Sequence, residues 1–134
     1  MVIIINIMNI KLTSVFVDDQ DKALRFYTEK MGFVEKTDLP VGEARWLIVA
    51  SYEGQDGTEL MLESDYNPAA RAHHQAIFQQ GIPFAALAVN DLEKEYERLK
   101  NLGVVFTREP VKSERPVAAV LDDTCGNLIQ LFQV

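Results

Sequence analysis

Apolar and polar positions along the chain fall into two similar halves. In the first, residues 12–17 (LTSVFV) are rich in β-formers and run into Asp18 and Asp19. Over residues 21–31 the pattern turns helical, with Leu24, Tyr27 and Met31 on one stripe. Asp19 or Asp21 can cap its start, because a carboxylate there accepts a free backbone N–H of the first turn. Gly32 stands where a helix C-terminus calls for positive φ. Three strand-like runs follow, residues 33–37, 45–52 and 58–63, divided by the turn-formers Pro40-Val41-Gly42 and Gly54-Gln55-Asp56-Gly57.

The second half repeats the order. Residues 84–89 (FAALAV) form a strand that ends at Asn90-Asp91. Residues 92–102 form a helix with Leu92, Tyr96, Leu99 and Leu102 on its apolar face and Glu95 near Arg98 on the other. Gly103 closes it, and residues 104–108, 116–121 and 128–132 are three further strands, the last entered through a tight turn at residues 122–127. Each half therefore reads βαβββ. Residues 64–82 link them, with a helix over 68–80 that has Pro68 near its first position.

A module of about sixty residues is marginal alone. The expectation is thus an α+β fold in one unit over residues 1–134: module 1 at about 10–63, the linker at 64–82 and module 2 at about 83–134. Packing the two modules gives a curved, half-open mixed sheet with helices outside, and its concave side is a natural pocket for a small molecule.

Composition narrows the function. The chain has 134 residues, 48% hydrophobic and 25% charged, an ordinary globular balance. Twenty acidic against 13 basic residues give a net charge of −7, which repels phosphate backbones, argues against a nucleic-acid partner and suits a cationic ligand. The single cysteine, Cys125, closes no internal disulfide, which fits a reducing cytoplasm. Residues 1–8 (MVIIINIM) are too short to span a bilayer and carry no positive n-region, so no membrane or export role is expected. They read as an N-terminal extension whose apolar stretch would need a sheet or a second chain to cover it. A homodimer is the expectation.

Several motifs in order then resemble a known group. Val17-Asp18-Asp19, Ala23-Leu24-Arg25-Phe26-Tyr27 and Met31-Gly32-Phe33 resemble the "V-x-D … FY … LGF" opening of the vicinal oxygen chelate superfamily, which includes glyoxalase I, bleomycin- and fosfomycin-resistance proteins and extradiol dioxygenases. Val89-Asn90-Asp91, Leu99 and Leu102-Gly103-Val104 resemble the start of its second module, and residues 122–131 (DDTCGNLIQL) its terminal "D-P-D-G-N-x-I-E-L" signature. The fold hosts lyases, dioxygenases, epimerases, thiol transferases and pure binders, so the resemblance speaks to architecture before reaction.

The resemblance implies a divalent metal held by His, Glu or Gln from the first and last strand of each module, polarising adjacent substrate oxygens. The first-strand position, seven residues before Asp19, is Leu12, and its second-module partner is Phe84. Neither side chain donates a lone pair. The last-strand position of module 2 is Gln130, a weak neutral ligand; that of module 1 is Met61, or Glu63 in a looser register. At best one carboxylate and one amide, Glu63 and Gln130, remain, fewer than a tight divalent site needs. The expectation is no metal and no cofactor.

Other groups carry less. His73 and His74, the only histidines, are adjacent on the linker helix, cannot chelate together, and read as solvent-facing. Glu63 would serve as a general base if buried. Of Arg45 and Trp46 only one can face the pocket, and Trp46 suits a ligand platform. Cys125 sits beside Asp122 and Asp123, which disfavour the thiolate, so it reads as unreactive. Arg71, Arg108 and Arg115 read as solvated. The expected ligand-binding set is Leu12, Trp46, Met61, Glu63, Phe84 and Gln130. The expected function is binding of a small organic molecule without metal; the alternative is a lyase or dioxygenase with an altered metal site.

Overall fold

A computed structural model describes residues 8–52 and 57–134. The expectations for residues 1–7 and for the turn at 54–56 lie outside the described residues.

Module 1 consists of β1 (Leu12–Val17), α1 (Gln20–Arg25), a π-helical turn (Phe26–Lys30), β2 (Val34–Val41), β3 (Ala44–Ala50) and β4 (Glu59–Ser64). Asp19 is the cap: its side chain accepts the Lys22 N–H at 3.0 Å. The helix widens after Arg25, where the Met31 N–H reaches back five residues to the Phe26 carbonyl at 3.2 Å. Both Phe26 and Tyr27 are buried in this turn, and the Tyr27 ring stacks on Phe33. Hydrophobic spacing at 3.6 residues anticipates only one of two adjacent aromatics inside; the π-turn is what admits both.

The Pro40-Val41-Gly42 turn is corrected by the structure. β2 runs through Pro40 and Val41, paired with Arg45 and Ala44, and the reversal is confined to Gly42-Glu43. Gly42 has φ +59°, as the first position of a tight two-residue hairpin loop demands. Pro40 is tolerated because β2 is an edge strand.

The linker carries α2 (Pro68–Gln79), whose cap Asn67 accepts from the N–H groups of Ala69 and Ala70. Module 2 repeats the plan in β5 (Ala85–Val89), α3 (Leu92–Asn101), β6 (Phe106–Arg108), β7 (Ala118–Asp122) and β8 (Leu128–Gln133). Asp91 caps α3 as Asp19 caps α1. The glycines that follow the two module helices, Gly32 (φ +82°) and Gly103 (φ +88°), adopt the left-handed conformation expected of them.

The strands form two four-stranded mixed sheets, ordered β1-β4-β3-β2 and β5-β8-β7-β6, each with its first and last strand parallel and the rest antiparallel. Among the described residues no hydrogen-bonded ladder crosses from one to the other. They are joined where β1 ends and β8 begins: the Asp18 N–H donates to the Cys125 carbonyl at 3.1 Å, and the Asn127 amide to the Phe16 carbonyl at 2.8 Å. One apolar core serves both, with Val17, Leu47 and Leu62 from the first sheet, Leu121, Ile129 and Leu131 from the second, and Tyr27 and Leu99 from the helices.

Candidate functional site

Strand side chains alternate between faces, and the core residues fix which face is which. Val15 and Val17 enter the core from β1, so Leu12, Ser14 and Phe16 point to the opposite face. By the same reasoning Met61 and Glu63 lie opposite Leu60 and Leu62, Trp46 lies opposite Leu47, and Gln130 lies opposite Ile129 and Leu131. Leu12, Trp46, Met61 and Glu63 therefore share one face of the first sheet, and Gln130 takes the equivalent face of the second. Phe84 precedes β5, where its N–H donates to the Leu128 carbonyl at 2.8 Å. Its ring meets Phe16 edge-on with centroids 6.1 Å apart, at the junction of the sheets.

Strand register settles which residue in β4 corresponds to Gln130. Val17 and Val89 each stand two residues before a helix-capping aspartate, so Ser14 corresponds to Ala86. Ser14 pairs with Met61, and Ala86 with Gln130. Met61, not Glu63, is the counterpart of Gln130. The four equivalent positions thus hold Leu12, Met61, Phe84 and Gln130. Two have no donor atom, one is a soft thioether and one a neutral amide, a set that does not fit a divalent cation preferring imidazole or carboxylate. Among the described residues no group of three or more His, Cys, Asp or Glu side chains is placed to hold a metal.

His74 corrects the expectation of two solvent-facing histidines. His73 is exposed, but His74 is only 2% exposed. Nδ1 of His74 lies 2.9 Å from Asp65 Oδ2, and Nε2 lies 2.9 Å from Asn127 Oδ1. The Asn127 amide nitrogen donates to the Phe16 carbonyl and to Asp123 Oδ2, each at 2.8 Å, which fixes the orientation of that amide. Adjacency in sequence showed that the two histidines face differently. It did not show that one face of α2 would be closed over by Asp65 and the last turn.

The same network continues into module 1. The Tyr27 hydroxyl donates to Asp123 Oδ2 at 2.6 Å, and Asp123 Oδ1 accepts the N–H groups of Cys125 and Asn127. Burial, then the Asp123 charge, pushes the Tyr27 phenol well above its usual range. Burial raises the Asp123 carboxyl, opposed by the hydrogen bonds it accepts from Tyr27 and Asn127. Cys125 is fully buried and its thiol is pushed up to about 12 by burial first and by Asp123 and Asp18 next, so it holds no nucleophilic thiolate at neutral pH.

Arg45 turns away from Trp46, toward Asp38, at 2.9 Å, and Asp21. Arg71, Arg108 and Arg115 are exposed; Arg71 approaches Asp65 Oδ1 at 3.6 Å and Arg108 pairs with Glu114. Surface cavities lie elsewhere, among them one of about 440 Å³ beside Tyr96, Glu109 and Arg115 and one of about 270 Å³ beside Asp65 and His74. Neither is lined by the residues expected from the sequence, and no spacing in the sequence signals them.

The model of the Glyoxalase/Bleomycin resistance protein/Dioxygenase superfamily matches residues 9–131. The chain belongs to this superfamily. It is 53% identical to the protein YurT of Bacillus subtilis (strain 168) over 126 residues, covering 94% of this chain and 99% of that one. The crystal structure of UcmS2 superposes with a TM-score of 0.81 at 34% identity, over 96% of this chain and 100% of that one. TnmS3, described as an antibiotic binding protein from Streptomyces sp. CB03234, superposes with a TM-score of 0.75 at 32% identity, over 96% and 98%. No described helix of this superfamily member is long and apolar enough to cross a membrane.

Proposed function

We propose that this superfamily member binds a small organic molecule against the faces of its two sheets that lie opposite the shared core, without a metal or other cofactor. It acts as one unit, as a homodimer in the cytoplasm. The observation that carries the reading is the apolar character of three of the four positions Leu12, Met61, Phe84 and Gln130, which leaves a greasy surface with one polar handle. Such a surface binds by removing apolar area from water, worth about 25 cal/mol per Å² before ordering costs. The Gln130 amide orients the ligand; its strand neighbours Ala86 and Val120 are small enough to leave it accessible. The printed description of TnmS3 as an antibiotic binder supports the same class of role.

The test is metal analysis of protein purified without chelator, followed by a thermal-shift screen against a mixed panel of metabolites and antibiotics. Metal-free protein whose melting temperature rises with particular panel members is the expected result. Stoichiometric Zn, Ni, Mn or Fe would overturn it in favour of a lyase or dioxygenase that uses Glu63 and Gln130. Light scattering at micromolar concentration checks the dimer.

A further inference from the structure

A cavity of about 440 Å³ lies between α3 and the segment that joins β6 to β7. None of Leu12, Met61, Phe84 and Gln130 lines it. Spacing of three and four residues puts Glu93, Tyr96 and Glu97 on one face of α3, and that face is one wall. The joining segment, residues 109–117, is the other. Two contacts hold the walls in place. The Lys112 ammonium reaches from the segment to Glu93 on the helix at 3.4 Å. The Gln133 side chain accepts the Leu92 N–H at 3.0 Å, which ties the start of α3 to the end of β8. Tyr96, Pro110 and Val117 are half-buried and give the cavity an apolar side, with the Tyr96 ring set edge-on to Phe106 at a centroid distance of 4.6 Å.

Charges of both signs line this cavity without meeting. Among the described residues Glu97, Glu109 and Arg115 have no ion-pair partner, whereas Glu93 and Glu114 each have one. Opposite charges around one cavity attract, and free side chains would close on each other. Arg115 is kept from doing so. Its Nη1 donates to the carbonyls of Lys112 at 2.6 Å and Glu114 at 2.7 Å, which pins the guanidinium to its own segment. Nε and Nη2 stay free, and they form the edge that takes a carboxylate through two parallel hydrogen bonds. The cavity thus offers a fixed cationic donor, two separate carboxylate acceptors and an apolar side.

We propose that this cavity is a binding site for a zwitterion of the free α-amino acid type with an apolar side chain. Arg115 takes the ligand carboxylate, and Glu97 and Glu109 take its ammonium. The ligand side chain lies along Tyr96, Pro110 and Val117. A ligand with a single charge would leave one of the two protein charges unmet. The volume falls in the range that encloses a small organic molecule. The site stands apart from the sheet faces, so its failure would leave the reading above untouched.

Three probes that differ by one charged group test it by calorimetry at neutral pH: L-phenylalanine, phenethylamine, which lacks the carboxylate, and 3-phenylpropionate, which lacks the amine. Phenylalanine is expected to bind about tenfold or more tighter than either of the others. R115Q should bring phenylalanine down to the affinity of phenethylamine, and E97Q/E109Q should bring it down to that of phenylpropionate. Circular dichroism verifies that both variants fold. Amide resonances of Tyr96, Val117 and Gln133 should shift on addition of phenylalanine to the parent chain. Absence of phenylalanine binding, equal binding of the three probes, or phenylalanine binding unchanged in either variant overturns the proposal.

Discussion

The Tyr27 hydroxyl and the Asp123 carboxylate meet at 2.6 Å across 96 residues of sequence, both buried. Tyr27 belongs to the π-turn of module 1 and Asp123 to the turn that feeds β8 in module 2. The bond therefore ties the modules together at the point where the sheets adjoin. Asp123 accepts four hydrogen bonds in all, from Tyr27, Cys125 and Asn127, and so organises the last turn as well as the junction.

Removing the hydroxyl leaves a buried carboxylate short of a donor. Y27F is expected to lose about 1–3 kcal/mol in urea unfolding. D123N loses stability too, because an amide cannot accept at both former oxygens. The double variant should lose less than the sum, since one partner's absence already forfeits the pair. Strict additivity would mean that the contact is not energetically shared.

Gly126 and His74 make a second cross-module dependence. Gly126 has φ +95°, and a Cβ there would lie 2.7 Å from His74 Cε1. G126A thus meets both backbone strain of about 1–2 kcal/mol and a collision with a ring that has no free space. H74A costs stability by stranding Asp65 and Asn127. In the H74A background the collision is gone and only the strain persists, so the double variant should be about 1 kcal/mol more stable than additivity gives. Equal effects of G126A in both backgrounds would show that the contact does not matter.

Local patterns read well in this sequence where one physical cause acts alone. A run of β-formers located β1 to its bounds, and the apolar stripes with their closing glycines located the helices of both modules, with an Asp cap marking the start of α1, because such signals are set by neighbours in sequence. Legibility failed where two distant segments meet. His74 looked like any helix-surface residue until Asp65 and Asn127 closed over it. Pro40 looked like a turn former, yet an edge strand accommodates it. The equivalence of Met61 with Gln130 needed strand register, which periodicity alone leaves ambiguous by two residues.

Alkaline pH offers a test of the buried thiol and phenol. The Cys125 thiol is raised from 9.0 to about 12, and the Tyr27 phenol well above 10.0. As pH rises past 9, the unfolded thiol loses its proton while the folded one keeps it. The folded state then binds more protons, so stability, fully present below pH 9, falls as pH climbs toward 12. Each such group contributes a slope of at most about 1.4 kcal/mol per pH unit. Urea unfolding of the parent chain from about pH 8 to 10 should show a declining midpoint, and C125A a shallower decline. Identical slopes would mean that the thiol is not held protonated.

The last prediction concerns rebuilding a metal site. If Leu12, Met61, Phe84 and Gln130 occupy the positions where metal-binding relatives place ligands, the scaffold lacks only the donor atoms. L12H/M61E/F84H/Q130E would supply two imidazoles and two carboxylates, a set that suits Zn²⁺ or Mn²⁺. The quadruple variant is expected to take up about one equivalent of Zn²⁺ by calorimetry and to gain thermal stability with it. Each single substitution should bind no better than the parent, because one new ligand leaves the set short. The quadruple variant also introduces charge where apolar side chains stood, so without metal it should be less stable than the parent and regain that loss on addition of Zn²⁺. A folded quadruple variant that takes up no zinc would show that the four side chains do not converge on one point, and with that the shared surface proposed for ligand binding would fall.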